Sequence, residues 1–417
     1  MKIWKNKKFL HLFFARFIAL IGDGILFITL LKMLELQGAG SMGISILYLA
    51  AGIPAFLFAI PAGAFVERSN LQRTMITTDA IRALLVFLFI MVGYFTTVAP
   101  LFIYILLFLI TINDMFFLPA SQSLLRWVVP EKLRPQANGQ LQIAMMTGKL
   151  LSFTLGAYLI KAGFELTSLL FMVIAAFALS IVLILFIRPA VMNNTDKTTK
   201  TLQMVTEGLT FIKNTTIIKN LFIVFGLAWI VGSSIDVFLI SYLNDVLGKG
   251  TEDLYLITTF SLGGIIIGSF LAPKLYETMN KKIGFYVPSF LFGFVILGYA
   301  LKLPLMILLL LLMTGGIAQG VFLTFLNSYL QEVTSQSYYA RVASFYTLLM
   351  KGASLPGLFL IGLLIDTTSV ITAGYFIGFY MIALGVFSIL MLQQVGNEGE
   401  VEDLTEVRAV EQKGESY

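Results

Sequence analysis

Apolar runs long enough to cross a bilayer recur along almost all of this 417-residue chain and leave room for little else. Twelve are read, at about 9–31, 42–66, 74–95, 99–119, 137–160, 166–187, 220–243, 253–272, 284–301, 305–325, 340–365 and 370–392. Each holds roughly 20 residues, the length that matches about 30 Å of hydrocarbon. Hydrophobic residues make up 58% of the sequence and charged residues 12%, a balance foreign to a water-soluble globule of this size. The chain is expected to be an all-α membrane protein.

Between the second and third runs stands GAFVERSNLQRTMITTDAIR, residues 63–82, a charged hinge. So short a connection makes its two spans antiparallel, and its arginines favour the cytoplasmic side. With the N-terminus inside, 20 basic residues fall on inner segments and four, Lys32, Lys161, Lys249 and Lys302, on outer ones. Arg16, Arg82, Lys149 and Lys351 lie within spans or at their edges. This bias places both termini in the cytoplasm of a multi-pass cell-membrane protein. The first run follows four lysines in residues 1–8, but it contains Arg16 and Asp23 and is too long for a signal-peptide core, so it reads as an uncleaved span.

The expected organisation is a cytoplasmic N-terminus at 1–8, a six-span bundle at 9–187, a cytoplasmic linker at 188–219, a second six-span bundle at 220–392 and a tail at 393–417. Residues 202–212 of the linker are amphipathic and are expected to lie along the membrane surface. From Asn397 onward the tail carries seven acids against Arg408 and Lys413, the pattern of a solvated end. The overall +5 therefore conceals +10 on the membrane body, where basic charge reports orientation rather than nucleic-acid binding.

Several function classes are excluded. The chain has no cysteine and one histidine, His11, so thiol chemistry, a His-based metal cluster and Ser-His or Cys-His catalysis have no residues to work with. No G-x-x-x-x-G-K-[ST] occurs, which removes nucleotide hydrolysis within the chain. An enzyme is not expected, nor a cofactor or metal.

Two sets of six spans point to duplication. Residues 111–125, TINDMFFLPASQSLL, align without gaps to 316–330, GIAQGVFLTFLNSYL, with identities at Ile112/Ile317, Phe117/Phe322, Leu118/Leu323, Ser123/Ser328 and Leu125/Leu330. Both copies end the fourth span of their half.

Charges inside spans are costly, roughly 3 kcal/mol or more at the midplane, and persist with a partner or a water-filled cavity. Asp23 and Lys149 share a depth in spans 1 and 5, and Asp236 and Lys351 share one in spans 7 and 11, the matching ranks of the second half. Two pseudosymmetric pairs, Asp23 with Lys149 and Asp236 with Lys351, are the expectation, serving either transport or helix association. Asp114 in span 4 has Gln319 as its repeat counterpart and lacks a matching lysine. It is the first candidate to exchange a proton near neutral pH, and Asp23 the second. Asn113, Phe117, Trp229, Gln319 and Phe322 are candidates to line a cavity. Gly263, Gly264, Gly315 and Gly316 offer bend points.

Two six-span halves, a central loop and this hinge together resemble the major facilitator superfamily, whose hinge reads roughly G-x-L-x-D-R-x-G-R-K. Gly63, Arg68 and Arg73 match, Glu67 stands where the family has Asp, and Asn70 and Leu71 replace a glycine and a basic residue. Within the superfamily the chain resembles macrolide-efflux and siderophore-exporter-like proteins, through Gly22-Asp23, Asp79 and Arg82, Pro119-Ala120, Val129-Pro130-Glu131, Ala137-Asn138-Gly139 and Arg341-Val342. It departs from antiporters of the family in having Asn113 and Asp114 where an arginine is common in span 4, and no proline in 148–157.

The resemblance implies twelve transmembrane helices in two pseudosymmetric bundles, moving a small-molecule substrate across the bilayer by alternating access, as a monomer. It also implies a cytoplasmic gate at Gly63, Glu67, Arg68, Arg73, Asp79 and Arg82, with Arg341 opening span 11 in reach. Proton-coupled efflux of amphipathic molecules is the leading reading. A lipid or metabolite carrier or uniporter, and a transport-inactive sensor of the same fold, stay open beside it. No nucleotide or nucleic-acid partner is expected.

Overall fold

Where no water can reach them, backbone N–H and C=O groups are satisfied within a helix of their own, and length of apolar run decides where such helices form. The computed structural model describes residues 3–67, 69–96, 98–130, 133–187, 212–334 and 336–393, and its regular elements are helices throughout. They are α1 (Lys7–Leu36), α2 (Gly40–Glu67), α3 (Leu71–Phe95), α4 (Pro100–Val128), α5 (Arg134–Lys161) and α6 (Leu166–Leu185) in the first half. The second half holds α7 (Thr216–Gly232), α8 (Ile235–Asp245), α9 (Leu254–Thr278), α10 (Ile283–Ala300), α11 (Leu305–Val333), α12 (Gln336–Thr367) and α13 (Val370–Met391). The amphipathic piece at 202–212, all but its last residue, the acidic tail and Arg68 lie outside the described residues.

Among the described residues, eleven spans are long and apolar enough to cross a membrane, with α7 and α8 together forming one of them. The twelfth is α5, 28 residues long but interrupted by Gln136, Asn138, Gln140, Gln142 and Lys149. The protein is thus a twelve-span helical membrane protein. Several helices overrun the apolar runs because polar caps extend them. Asn6 accepts from the N–H groups of Lys8 and Phe9 at 3.0 and 3.2 Å, Asn70 from Arg73 at 3.1 Å, and Ser369 from Thr372 at 3.1 Å. Span 7 breaks in two at Ser233 and Ser234, whose hydroxyls donate to the carbonyls of Ile230 and Val231 at 3.2 and 2.8 Å and compete with the helix.

Two compact units emerge, and each is built around its own core. The first comprises Met1–Asp196, Leu239–Thr259 and Ile361–Asp366. Here α1 packs on α4, α5 and α6, and α3 on α4 and α6, over a core that includes Phe9, Leu12, Val66, Met75 and Leu124. The second comprises Lys197–Phe238, Phe260–Leu360 and Thr367–Tyr417. In it α10 packs on α11 and α13, and α13 on α7, over Phe225, Phe285, Phe325 and Tyr329. Outer faces carry bare apolar side chains, Phe270 being 85% exposed, as a lipid-facing surface allows.

Residues 239–259 and 361–366 join the first unit through ionic contacts. Lys32 Nζ lies 2.8 Å from Glu35 and 2.6 Å from Glu252, and the other Glu35 oxygen accepts from the N–H of Thr251 at 2.7 Å. Lys161 reaches Asp253 at 2.7 Å with Lys249 at 3.4 Å on its other oxygen, while the Asp366 carboxylate accepts from Ser41 and Met42 N–H groups at 3.1 and 3.0 Å, capping α2. Three of the four lysines that run against the positive-inside bias are therefore each matched by acids. Replacing Glu35 by Ala removes the bridge between Lys32 and Thr251. Amide exchange across 246–253 is then expected to quicken by about tenfold, one charge-assisted network's worth, and unchanged exchange would show that the bridge holds nothing.

Candidate functional site

The buried stripe of α3 runs Leu71, Met75, Thr78, Asp79, Arg82, Val86, Phe89 and Ile90, the period of one helix face. Two charges sit in the middle of that stripe. Arg82 is the twelfth residue of α3, roughly 17 Å from its start at 1.5 Å per residue, and its side chain is fully buried. Its guanidinium is the hub of the first unit's interior.

Three carboxylates converge on it. Arg82 Nη1 donates to both oxygens of Asp23 in α1 at 3.1 Å each and to Asp114 in α4 at 2.6 Å, and Nη2 donates to Asp79 one turn back. The far oxygen of Asp79 accepts from Ser180 of α6 at 2.6 Å. Phe117 and Phe177 lie on the guanidinium with ring centroids 4.8 and 4.7 Å from its carbon, adding cation–π attraction in a desolvated place. Four helices thus meet on one side chain. Three acids against one base leave the group short of positive charge by two. Access separates the acids: Asp79 is sealed at 0% side-chain exposure, whereas Asp23 and Asp114 are 26% and 33% exposed.

This geometry corrects the expected pairing. Asp23 is held by Arg82, and Lys149 is exposed, its ammonium 5.9 Å from the Phe153 ring centroid. Equal depth along two spans does not by itself bring two side chains together. Asp114, expected to lack a basic partner, has Arg82. Asp79 and Arg82 belong to this interior group rather than to the hinge, because α3 starts at Leu71 and carries them well past its first turn. Ser180 and Phe177 were not foreseen, and nothing short of the packing of α6 against α3 would have shown them.

The remaining expected residues are placed as follows. Arg73 is exposed on the first turn of α3. Gly63 and Glu67 lie in the last turns of α2, and Arg341 lies in α12. Asn113 folds back on its own helix, donating to the Leu109 carbonyl at 2.8 Å. Asp236 stands in the first turn of α8, where a helix N-terminus favours negative charge, and Lys351 lies midway along α12. Trp229, Gln319 and Phe322 border one cavity in the second unit. The second unit's counterpart of the hinge, the connection between α9 and α10, carries its own cluster. There Lys281 pairs with Glu332, and Tyr276 donates to that carboxylate at 2.5 Å. Burial would push the Glu332 carboxyl up, but the hydrogen bonds from Lys281 and Tyr276 hold it below its ordinary value.

Twelve spans in two like halves, with an ionic hub buried in one of them, define a class of polytopic helical membrane protein. The chain matches the Major Facilitator Superfamily over residues 12–358 and belongs to that family. Among its relatives are two uncharacterized MFS-type transporters of Bacillus subtilis (strain 168). YvqJ is 31% identical over 188 residues, 45% of this chain and 44% of that one. YfiS is 26% identical over 217 residues, 51% of each. The chain thus spans about half the length of the curated relatives it matches. Among solved structures, the nucleoside transporter NupG superposes with a TM-score of 0.72 at 15% identity, covering 92% of this chain and 98% of that one. A bacterial homolog of the human lysosomal transporter Spinster gives 0.68 at 13%, covering 94% and 96%. At such identities the likeness is one of fold.

Proposed function

We propose that this transporter is a proton-coupled exporter of amphipathic small molecules, akin to the macrolide-efflux and siderophore-exporter-like branch, with the Arg82 group carrying the proton. The observation behind it is the ratio of three carboxylates to one guanidinium, with Asp23 and Asp114 the two that retain access. A proton on either weakens its hold on Arg82 Nη1, which both acids share, and so couples protonation to the packing of α1 against α3 and α4. Asp79, sealed and bound by Ser180, keeps Arg82 in place throughout.

Purified protein in liposomes with an acidic lumen is expected to accumulate amphipathic dyes, antibiotics or siderophores as protons leave. Asp23→Asn and Asp114→Asn should each lower gradient-driven accumulation at least tenfold while leaving equilibrium substrate exchange in place. Accumulation that ignores the pH gradient in the unmodified protein would overturn proton coupling, and full activity in both variants would remove the assignment to these residues.

A further inference from the structure

The cavity of the second unit occupies the same positions in the repeat as the ionic hub of the first. Asp114 and Gln319 are each the fifteenth residue of a 29-residue helix, α4 and α11, and Phe117 and Phe322 follow one turn later in both. Phe177 and Met381 are each the twelfth residue of α6 and α13. Asp79 and Arg82 of the 25-residue α3 are matched by Ser289 and Phe292 of the 18-residue α10, again three apart, with Arg82 and Phe292 each within one residue of mid-helix. Gln319, Phe322, Met381, Ser289 and Phe292 all border the cavity, together with Trp229. At three of the hub's four charged positions, Asp79, Arg82 and Asp114, the second unit thus has a neutral residue, and where a guanidinium and its carboxylates fill the first unit, the second has a cavity of about 50 Å³, widening to about 460 Å³ when the part open at its mouth is counted.

Its chemistry is narrow. No described residue that borders it carries charge. The rings of Trp229 and Phe322 are backed by Phe225, with centroids at 5.5 and 6.4 Å, and Phe285 stands edge-on to Phe322 at 6.1 Å, so the aromatic walls are held in position. Ser289 donates to its own helix at the Phe285 carbonyl. The carboxamide of Gln319 and the indole N–H of Trp229 make no hydrogen bond to any described residue, so the lining holds one amide and one donor still able to bond a ligand. Apolar walls with two convergent polar groups are the make-up of a small-molecule site.

We propose that this cavity is a substrate subsite that takes a neutral, planar ring system bearing one hydrogen-bonding group, such as a carboxamide, and rejects the same ring when it is charged. The inference rests on the reading of the chain as a small-molecule transporter for its role, but not for its chemistry. A charged ring would be desolvated here with no counter-ion, at a cost that a neutral one avoids. The repeat then divides the labour: the hub of the first unit holds the proton, and the cavity of the second takes the ring of the substrate.

The test uses full-length protein with Trp4→Phe and Trp127→Phe, which leaves Trp229 as the single tryptophan. In detergent micelles its fluorescence is titrated with anthracene-2-carboxamide, anthracene-2-carboxylate and anthracen-2-ylmethylammonium, one ring in neutral, anionic and cationic form. Saturable quenching by the carboxamide is expected, at least tenfold tighter than by either ion. Gln319→Leu, which hardly changes volume, should weaken it about tenfold, and Ala318→Phe, which fills the space, should abolish it. Equal quenching by all three probes, or quenching untouched by Gln319→Leu, overturns the proposal; should Ala318→Phe not fold, Gln319→Leu decides alone. Saturable quenching without proton-driven flux would sink the exporter reading and leave this site standing, while flux without it would do the reverse.

Discussion

Arg82→Met is expected to leave little folded protein in the membrane. Methionine keeps the apolar stem of arginine as far as Nε, so the loss is that of the guanidinium: its charge, its hydrogen bonds and its contact with the Phe117 and Phe177 rings. It strands Asp79 with full burial and Asp23 and Asp114 with partial burial, and removing one partner of a buried ion pair costs about 3–5 kcal/mol. Set against a total stability of about 5–15 kcal/mol, that is enough to shift most of the population. Protonation of the three acids recovers part of the loss, which is why the Arg82→Met, Asp79→Asn double variant should be more stable than Arg82→Met alone. Arg82→Lys keeps the charge but loses the fork that serves three carboxylates and the flat face that lies against Phe117 and Phe177. It should fold with a lowered thermal midpoint and transport poorly. Size-exclusion profiles and thermal midpoints in detergent measure all three, and a wild-type midpoint for Arg82→Met would show that the acids do not depend on this arginine.

The fold could be read from the sequence because run length and the ban on unpaired backbone in lipid admit one solution, a bundle of spanning helices. The members of the hub were legible too: Asp23, Asp79, Arg82 and Asp114 all stand out as charges in or beside apolar runs. Their partnerships were not, and the reason is geometric. Depth along a span follows from counting residues, but the direction a side chain leaves the helix depends on where the helix begins and which face packs. Starting span 3 at residue 74 put Arg82 near an edge, whereas Asn70 caps the helix and the stripe from Leu71 to Ile90 carries Arg82 inward. That stripe was present in the sequence, and reading it first would have set Arg82, not Lys149, opposite Asp23.

The repeat was legible in the same partial way. Five identities set spans 4 and 10 as counterparts, and α4 and α11, both 29 residues long, place Asp114 and Gln319 at the same rank. What the alignment did not convey is that the counterpart of an ionic hub is an aromatic cavity. Substituting neutral residues at a handful of positions leaves the backbone path intact and changes entirely what the interior holds, which is how one duplicated scaffold comes to supply two different chemistries.

Gly316→Val should be among the most damaging single substitutions outside the hub. Gly264 and Gly268 are one turn apart on α9, Gly316 and Gly320 one turn apart on α11, and the two pairs face each other. A Cβ at Gly264 would come closer than 3.0 Å to the Met313 carbonyl oxygen, at Gly268 to that of Ile317, at Gly316 to that of Ser261 and at Gly320 to that of Ile265. Each obstacle is backbone, so no rotamer change relieves it and the helices must separate. In lipid there is no hydrophobic force to hold separated helices together, since association rests on close van der Waals contact, and Cα–H···O contacts are lost with it. A loss above about 4 kcal/mol is expected, of the order reserved for disrupted cores. Gly263, next in sequence to Gly264, was read with it as a bend point, yet a Cβ there meets nothing within 4 Å. Gly263→Ala should therefore be neutral or stabilising by about 0.5–1 kcal/mol through helix propensity. Thermal midpoints of the two variants side by side separate close approach from bending: if both glycines served flexibility, both substitutions would stiffen the helices and neither would unfold the protein, whereas a backbone contact makes one ruinous and its neighbour harmless.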